Sequence, residues 1–435
     1  MGPLLKTSFF SVVLLLTGLG IARGEEPRPD GAFYEERTKD PILEKIKDRK
    51  EALDKQLRKE TEEITAPIKK ARKEKKENRP VLLSSLPADE RPEGPKVFKS
   101  VFHFEPQAQF YTGTCWAFAG TSFLESEVYR IKGKKVKLAE MHTVYWEYVE
   151  KARRFVQMRG ESDFSEGSQV NAVNRMWAKY GVVPLSVYDG VVAEDGLHDH
   201  LRMYDELNAF LKYIETEQIW DEDFVVSGIR LILDKYLGTP PQEFEFEGKR
   251  YTPVSFLREA LGINPDDYVQ FMSTKQLPFY QTGLFDVPDN WWKDDTYYNV
   301  PLEDFMGVVD GAILNGYSVG IGGDVSEPGK NFHLDIAFIP TFDIPFEFID
   351  QDARELRIYN HTTTDDHGIH LVGVTKVAGK KWYLIKDSGR SARHGRFDGY
   401  YFFREDFIKL KMLTVLVHKD SAKKLIEKCK ARKAE

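Results

Sequence analysis

The chain of 435 residues has only two cysteines, Cys115 and Cys429, far apart and in unlike surroundings. Two such thiols exclude a disulfide framework, so the fold must rest on an apolar core. No CxxC pair and no Cys/His spacing of the zinc-binding kind occurs, so neither a metal nor another cofactor is expected. Net charge is small as well. The 62 basic and 69 acidic side chains leave a formal charge of −7, which gives no case for a nucleic acid partner. The glycines of Tyr317 to Asp324 lack the Gly-Lys-Ser/Thr or GxGxxG spacing of a phosphate loop, and the run reads as a strand entering a turn.

The apolar run Phe9 to Leu19 is too short to cross a bilayer comfortably. With Lys6 before it and Ala22-Arg23-Gly24 after it, it reads as an export signal over residues 1–24. The mature chain is therefore expected in the periplasm or outside the cell. No cysteine follows the run, so a lipid anchor is not indicated.

Hydrophobic residues at 41% and aromatics at 13% suffice for a real core, in two domains or one elaborated one. Residues 25–95 are different material, dense in Lys, Arg and Glu, with sparse apolar positions such as Ile42, Ile46, Leu53, Leu57 and Ile64. They predict one or two exposed helices broken near Pro67, then a proline-marked linker, together a charged arm or a removable propeptide. Residues 96–420 read as globular, with an insertion over about 191–300, and residues 421–435 as a basic tail. Helical spacing marks 115–133, 138–152, 170–180, 207–214, 225–236 and 302–314, whereas 368–374, 382–386, 399–404 and 413–417 read as strands. Helices first and strands later predict an α+β protein with a cleft between its parts.

The chemistry gathers at Gln109-Phe110-Tyr111-Thr112-Gly113-Thr114-Cys115-Trp116-Ala117-Phe118-Ala119. A thiol at a helix start feels the positive end of the macrodipole, which favours the nucleophilic thiolate. Gln109, six residues upstream, has an amide able to donate to a developing oxyanion. A thiol nucleophile needs a base, and the base an orienting partner. Among ten histidines, one region couples a His to a polar partner across a plausible hairpin: Asp366-His367-Gly368-Ile369-His370, a turn, then Lys386-Asp387-Ser388-Gly389. A four-residue turn sets His367 opposite Ser388, next to Asp387, and a two-residue turn sets His370 opposite Asp387. Spacing alone leaves both open.

The cysteine segment resembles the papain superfamily of cysteine peptidases, where a Gln six residues before the Cys of Gly-x-Cys-Trp-Ala-Phe supplies the oxyanion hole. In that superfamily an Asp-His pair lies six residues before a Gly, as His367 does before Gly373, and the partner strand reads Tyr-x-x-x-Lys-Asn-Ser-Trp-Gly. The resemblance makes His367 the base, Asp387 its orienter and His370 an ordinary strand histidine. This sequence departs from the family in two places. Asp387 stands for the usual Asn, and the Trp that shields the pair is missing, with Gly389 or Arg390 nearby. A carboxylate still orients imidazole and raises its pKa.

Ser122-Phe123-Leu124-Glu125-Ser126-Glu127, Leu138-Ala139-Glu140-Met141, Phe164-Ser165-Glu166-Gly167, Tyr180-Gly181-Val182-Val183-Pro184, Tyr251-Thr252-Pro253 and Asn299-Val300-Pro301 resemble the bleomycin hydrolase and aminopeptidase C branch, over residues 97–420. The branch implies a papain-like fold with a large helical insertion. It implies Gly167 and Trp116 at the groove for a peptide or protein substrate, and a homohexamer. It also implies a cysteine peptidase, with aminopeptidase action as its narrower form; export, which the cytosolic enzymes of that branch lack, comes from residues 1–24 alone. The rival is a catalytically impaired pseudopeptidase that binds peptides or serves as a scaffold.

Overall fold

The computed structural model describes residues 38–77, 82–326 and 328–433, so the expected export signal lies outside the described residues. The chain divides into two compact units, Met1–Pro80 and Val81–Glu435. The described part of the first is a helix, α1 (Pro41–Glu77), opened by the Asp40 carboxylate accepting from the Ile42 N–H at 2.8 Å. The expected break at Pro67 does not occur, because α1 runs through it. A mid-helix proline forfeits a hydrogen bond and crowds the preceding turn. Here the Lys-, Glu- and Ala-rich flanks carry enough helix propensity to continue past it. The apolar side chains Ile42, Ile46, Leu53, Leu57, Ile64 and Ile68 of α1 are exposed.

The second unit begins earlier than the expected boundary at residue 96. Pro92 and Gly94 are buried, the Ser84 carbonyl accepts from Asn331 Nδ2 at 2.8 Å, and Phe98 packs on Phe402 with ring centres 5.3 Å apart. The prolines that read as linker instead hold an extended strap whose apolar side is covered.

Its helical half holds α2 (Cys115–Lys132), α3 (Glu140–Gln157), α4 (Ala172–Tyr180), α5 (Leu201–Thr216) and α6 (Glu222–Leu237). Every residue of α2 from Trp116 to Val128 is buried, as befits a helix covered on all sides. Gly133 ends it in the left-handed conformation (φ 65°), with its N–H on the Tyr129 carbonyl.

The sheet half runs in the order β5 (Gln281–Gly283), β6 (Tyr297–Asn299), β4 (Tyr268–Met272), β13 (Met412–His418), β7 (Val319–Gly323), β10 (His367–Val377), β11 (Lys380–Lys386), β12 (Tyr400–Arg404), β9 (Ile336–Ala337) and β8 (Lys330–Asn331). A short β1 (Lys99–Ser100) pairs with the far end of β10, and β2 (Phe244–Phe246) with β3 (Lys249–Tyr251) forms a separate hairpin. The expected helical insertion over 191–300 is thus helical only in its first part, since β4, β5 and β6 join the main sheet. Its Tyr- and Phe-bearing segments are too short to bury themselves and find partners at the sheet edge.

Helices α7 (Leu302–Leu314), α8 (Gln351–Tyr359), α9 (Glu405–Lys411) and α10 (Lys423–Lys433) accompany the sheet. The supposed tail is part of the core: Ile426 and Cys429 of α10 are buried in the same cluster as Val309 and Ile321. Its lysines lie on the outer side, which is why composition alone read it as a basic tail. The helical half has its own core around Trp116, Phe123, Tyr145 and Trp177, distinct from the cluster around Ile369, Tyr383 and Phe407.

Candidate active site

Cys115 is the first residue of α2, with Thr114 in the capping position, and its side chain is partly exposed. Strand β10 comes so close to this helix start that any side chain at 368 would crowd it. A Cβ there would lie 3.1 Å from Trp116 Cα and 3.0 Å from Val170 Cγ2. In return the Gly368 N–H reaches the Cys115 sulfur at 3.5 Å. Gly368→Ala should therefore cut kcat/KM at least about tenfold while costing only about 1–2 kcal/mol of stability, read by steady-state kinetics beside thermal unfolding.

His367 is the residue before Gly368. Its Nε2 and Asp387 Oδ1 are 2.7 Å apart, and the Cys115 sulfur is the ring's other close electrostatic neighbour. Burial opposes charge on this ring. The Asp387 carboxylate and the sulfur outweigh it, and the imidazolium is held well above the ordinary histidine range. Asp387 is buried too, which disfavours its charge. The His367 ring, Lys330 and the Gly389 N–H (2.7 Å) more than offset that and keep it well below the usual carboxylate range.

The hairpin realises neither of the two expected pairings. Its turn is the two-residue one, Ala378 (φ 49°) and Gly379 (φ 75°), between paired Val377 and Lys380. A bulge between Leu371 and Gly373 then moves the register by one, so His370 stands opposite Lys386 rather than Asp387. His370 is sealed against α2, with Nδ1 2.8 Å from Ser122 Oγ, to which Lys386 Nζ also donates. Burial drives its pKa well below the ordinary value. Of the two histidines, His367 alone meets the sulfur.

Gln109 is fastened on three sides. Its N–H donates to the Ser388 carbonyl (3.0 Å), its Oε1 accepts from Ser388 Oγ (2.8 Å), and its Nε2 donates to the Thr112 carbonyl (2.7 Å). Ser388 and Glu166 are functional neighbours that sequence reasoning missed. The Glu166 carboxylate accepts from the Gly113 N–H (3.0 Å) and its carbonyl from Trp116 Nε1 (3.1 Å), tying the loop before Gly167 to the cysteine loop. The signals available were the place of Ser388 beside Asp387 and that of Glu166 beside Gly167.

Trp116, expected at the groove, is corrected to a core residue: it is 1% exposed and its indole is spent on Glu166. Gly167 does not leave an open floor either. Its missing side chain makes room for Asp289, whose Oδ1 lies 2.4 Å from where a Cβ would be. Burial pushes the nearby Asp365 carboxyl up to about 7, with Asp289 adding to the shift.

The family model described as "Peptidase C1-like family" matches residues 49–433, beyond the 97–420 expected at both ends. The chain belongs to the Peptidase C1-like family. Its fold is papain-like, and the matches set it in the bleomycin hydrolase and aminopeptidase C branch. This C1-like chain is 25% identical over 271 residues to "Aminopeptidase C" of Streptococcus thermophilus, covering 51% of the chain and 59% of that protein. The match thus spans less than two thirds of that relative's length. It is 23% identical over 354 residues to "Aminopeptidase G" of Lactobacillus delbrueckii subsp. lactis, covering 72% of the chain and 80% of that protein. The solved structure of pepW from Lactobacillus rhamnosis HN001 (DR20) shares the fold, with a TM-score of 0.61 and 18% identity over 78% of this chain and 86% of that one.

Proposed function

We propose that this C1-like protein hydrolyses peptide bonds with Cys115 as nucleophile, and that it removes residues from free peptide N-termini. His367 takes the thiol proton and returns it to the leaving amine, and Asp387 holds the ring. Gln109 and the Cys115 N–H receive the oxyanion. One observation carries the reading: the His367 ring lies between the Cys115 sulfur and the Asp387 carboxylate, 2.7 Å from the latter. Aminopeptidase action is supported by the names of the two relatives. Export rests on residues 1–24 alone.

The test is turnover of matched peptides with free and acetylated N-termini. Cleavage of the free peptides only supports aminopeptidase action. Equal cleavage of both overturns that part, and cleavage of neither, with Cys115 no more reactive than a simple thiol, favours the pseudopeptidase. The pH profile has a definite sign. Because His367 is raised, its proton persists through neutrality and is lost on the alkaline side. The leaving amine needs that proton, so the descending limb of kcat/KM is expected well above pH 6.5, as measured with the free peptide across a pH series.

A further inference from the structure

Asp387 is a carboxylate where the resembling family carries an amide, and it is 1% exposed. A buried carboxylate is costly unless it is paired. Its Oδ1 is occupied by His367 and the Gly389 N–H, but its Oδ2 is buried without a hydrogen-bond partner. Facing Oδ2 at 3.8 Å is the ammonium of Lys330, an ion pair rather than a hydrogen bond. Lys330 comes from β8 at the sheet edge, is itself buried, donates to Ser391 Oγ at 2.9 Å and lies 4.4 Å from the centre of the Tyr401 ring. Sulfur, imidazole, carboxylate and ammonium thus follow one another in a single row.

We propose that Lys330 is a positioning residue of this row, holding Asp387 ionised and turned toward His367, so that an aspartate works where the family uses an asparagine. The inference rests on the catalytic reading of Cys115 and His367. Lys330 touches no substrate and acts only through Asp387. Charge counting gives the reason. Within the row itself, thiolate, imidazolium, carboxylate and ammonium sum to zero. Removing the ammonium leaves one net negative charge. Replacing the carboxylate by an amide leaves one net positive charge and strands a buried lysine. Asp366 also faces Lys330, and Tyr401 faces both Lys330 and Asp387. Burial weakens the ammonium's hold on its proton while Asp387 and Asp366 strengthen it.

The test compares the full-length protein with Lys330→Met, Asp387→Asn, the double variant and Lys330→Arg. Iodoacetamide labelling of Cys115 and kcat/KM are followed across pH, with thermal unfolding alongside. Loss of the ammonium makes the thiol harder to ionise and the imidazolium harder to deprotonate. In Lys330→Met both limbs of the labelling profile should move to higher pH, with a loss of roughly tenfold near neutrality. Lys330→Arg should keep the wild-type profile. The double variant should lose clearly less than the product of the two single losses. If Lys330→Met does not fold, Lys330→Gln, which retains a hydrogen bond to Ser391, takes its place. An unchanged profile in the charge-free variant, or losses that simply multiply, overturns the proposal while a fast wild-type thiol leaves the peptidase reading standing. A wild-type thiol no faster than an ordinary one overturns both.

Discussion

His367→Ala is expected to lower kcat/KM by about four orders of magnitude, the scale seen when the base of a nucleophile–base pair is removed. The same ring must accept the thiol proton and deliver it to the leaving nitrogen, so both half-reactions suffer. No other side chain found in the site replaces it: His370, three residues on, is sealed against Ser122 of α2. Folding should survive, because Asp387 keeps Lys330 and the Gly389 N–H as partners. The measurement is steady-state turnover of an unblocked peptide, with labelling of Cys115 falling to the rate of an unperturbed thiol. A variant retaining a tenth of the activity would show that the base lies elsewhere.

Arg354→Ala is expected to destabilise the second unit by about 3–5 kcal/mol, read as the shift in a urea unfolding curve. Arg354 of α8 is fully buried. Its guanidinium donates to the carbonyls of Ser273 (2.9 Å), Lys409 (2.7 Å) and Leu413 (3.3 Å), fastening α8 to the end of β4, the last turn of α9 and the start of β13. Burial pushes its pKa down to about 10, so it stays charged at neutral pH. The fork satisfies three carbonyls that cannot reach water, each costly to orphan. Removing the buried charge recovers some desolvation cost, which keeps the loss below the sum. Arg354→Lys should rescue little, because an ammonium does not reproduce the planar fork.

Much of this was legible in the sequence because it is local. The apolar spacing and glycine ends of α2 and α7 gave their limits, and the Gln–Cys–Trp spacing pointed to the nucleophile. What escaped is what depends on contacts distant along the chain. The bulge beside Gly373 adds one residue to an otherwise regular strand, a change that period-two patterning does not register. Lys330 looks like any surface lysine until β8 is laid against β9 and β12. Trp116 stands in the recognised segment, yet its ring turns inward, its indole N–H donating to the Glu166 carbonyl. Pro67 was over-read, since a strong helix absorbs one missing bond. The proline strap before Phe98 was under-read, because its cover is supplied by Asn331, Phe397 and Phe402.

Two of the cores among the described residues, the helical one and the one around Ile369, bear on how such a molecule would fail. The sulfur rides on a helix anchored in one of them and the imidazole on a strand anchored in the other, and the join between them is where Gly368 meets Trp116. Slippage of an ångström along that seam would exhaust catalysis while each half kept its own oil and its own order. Heat or denaturant should silence this molecule well before melting it.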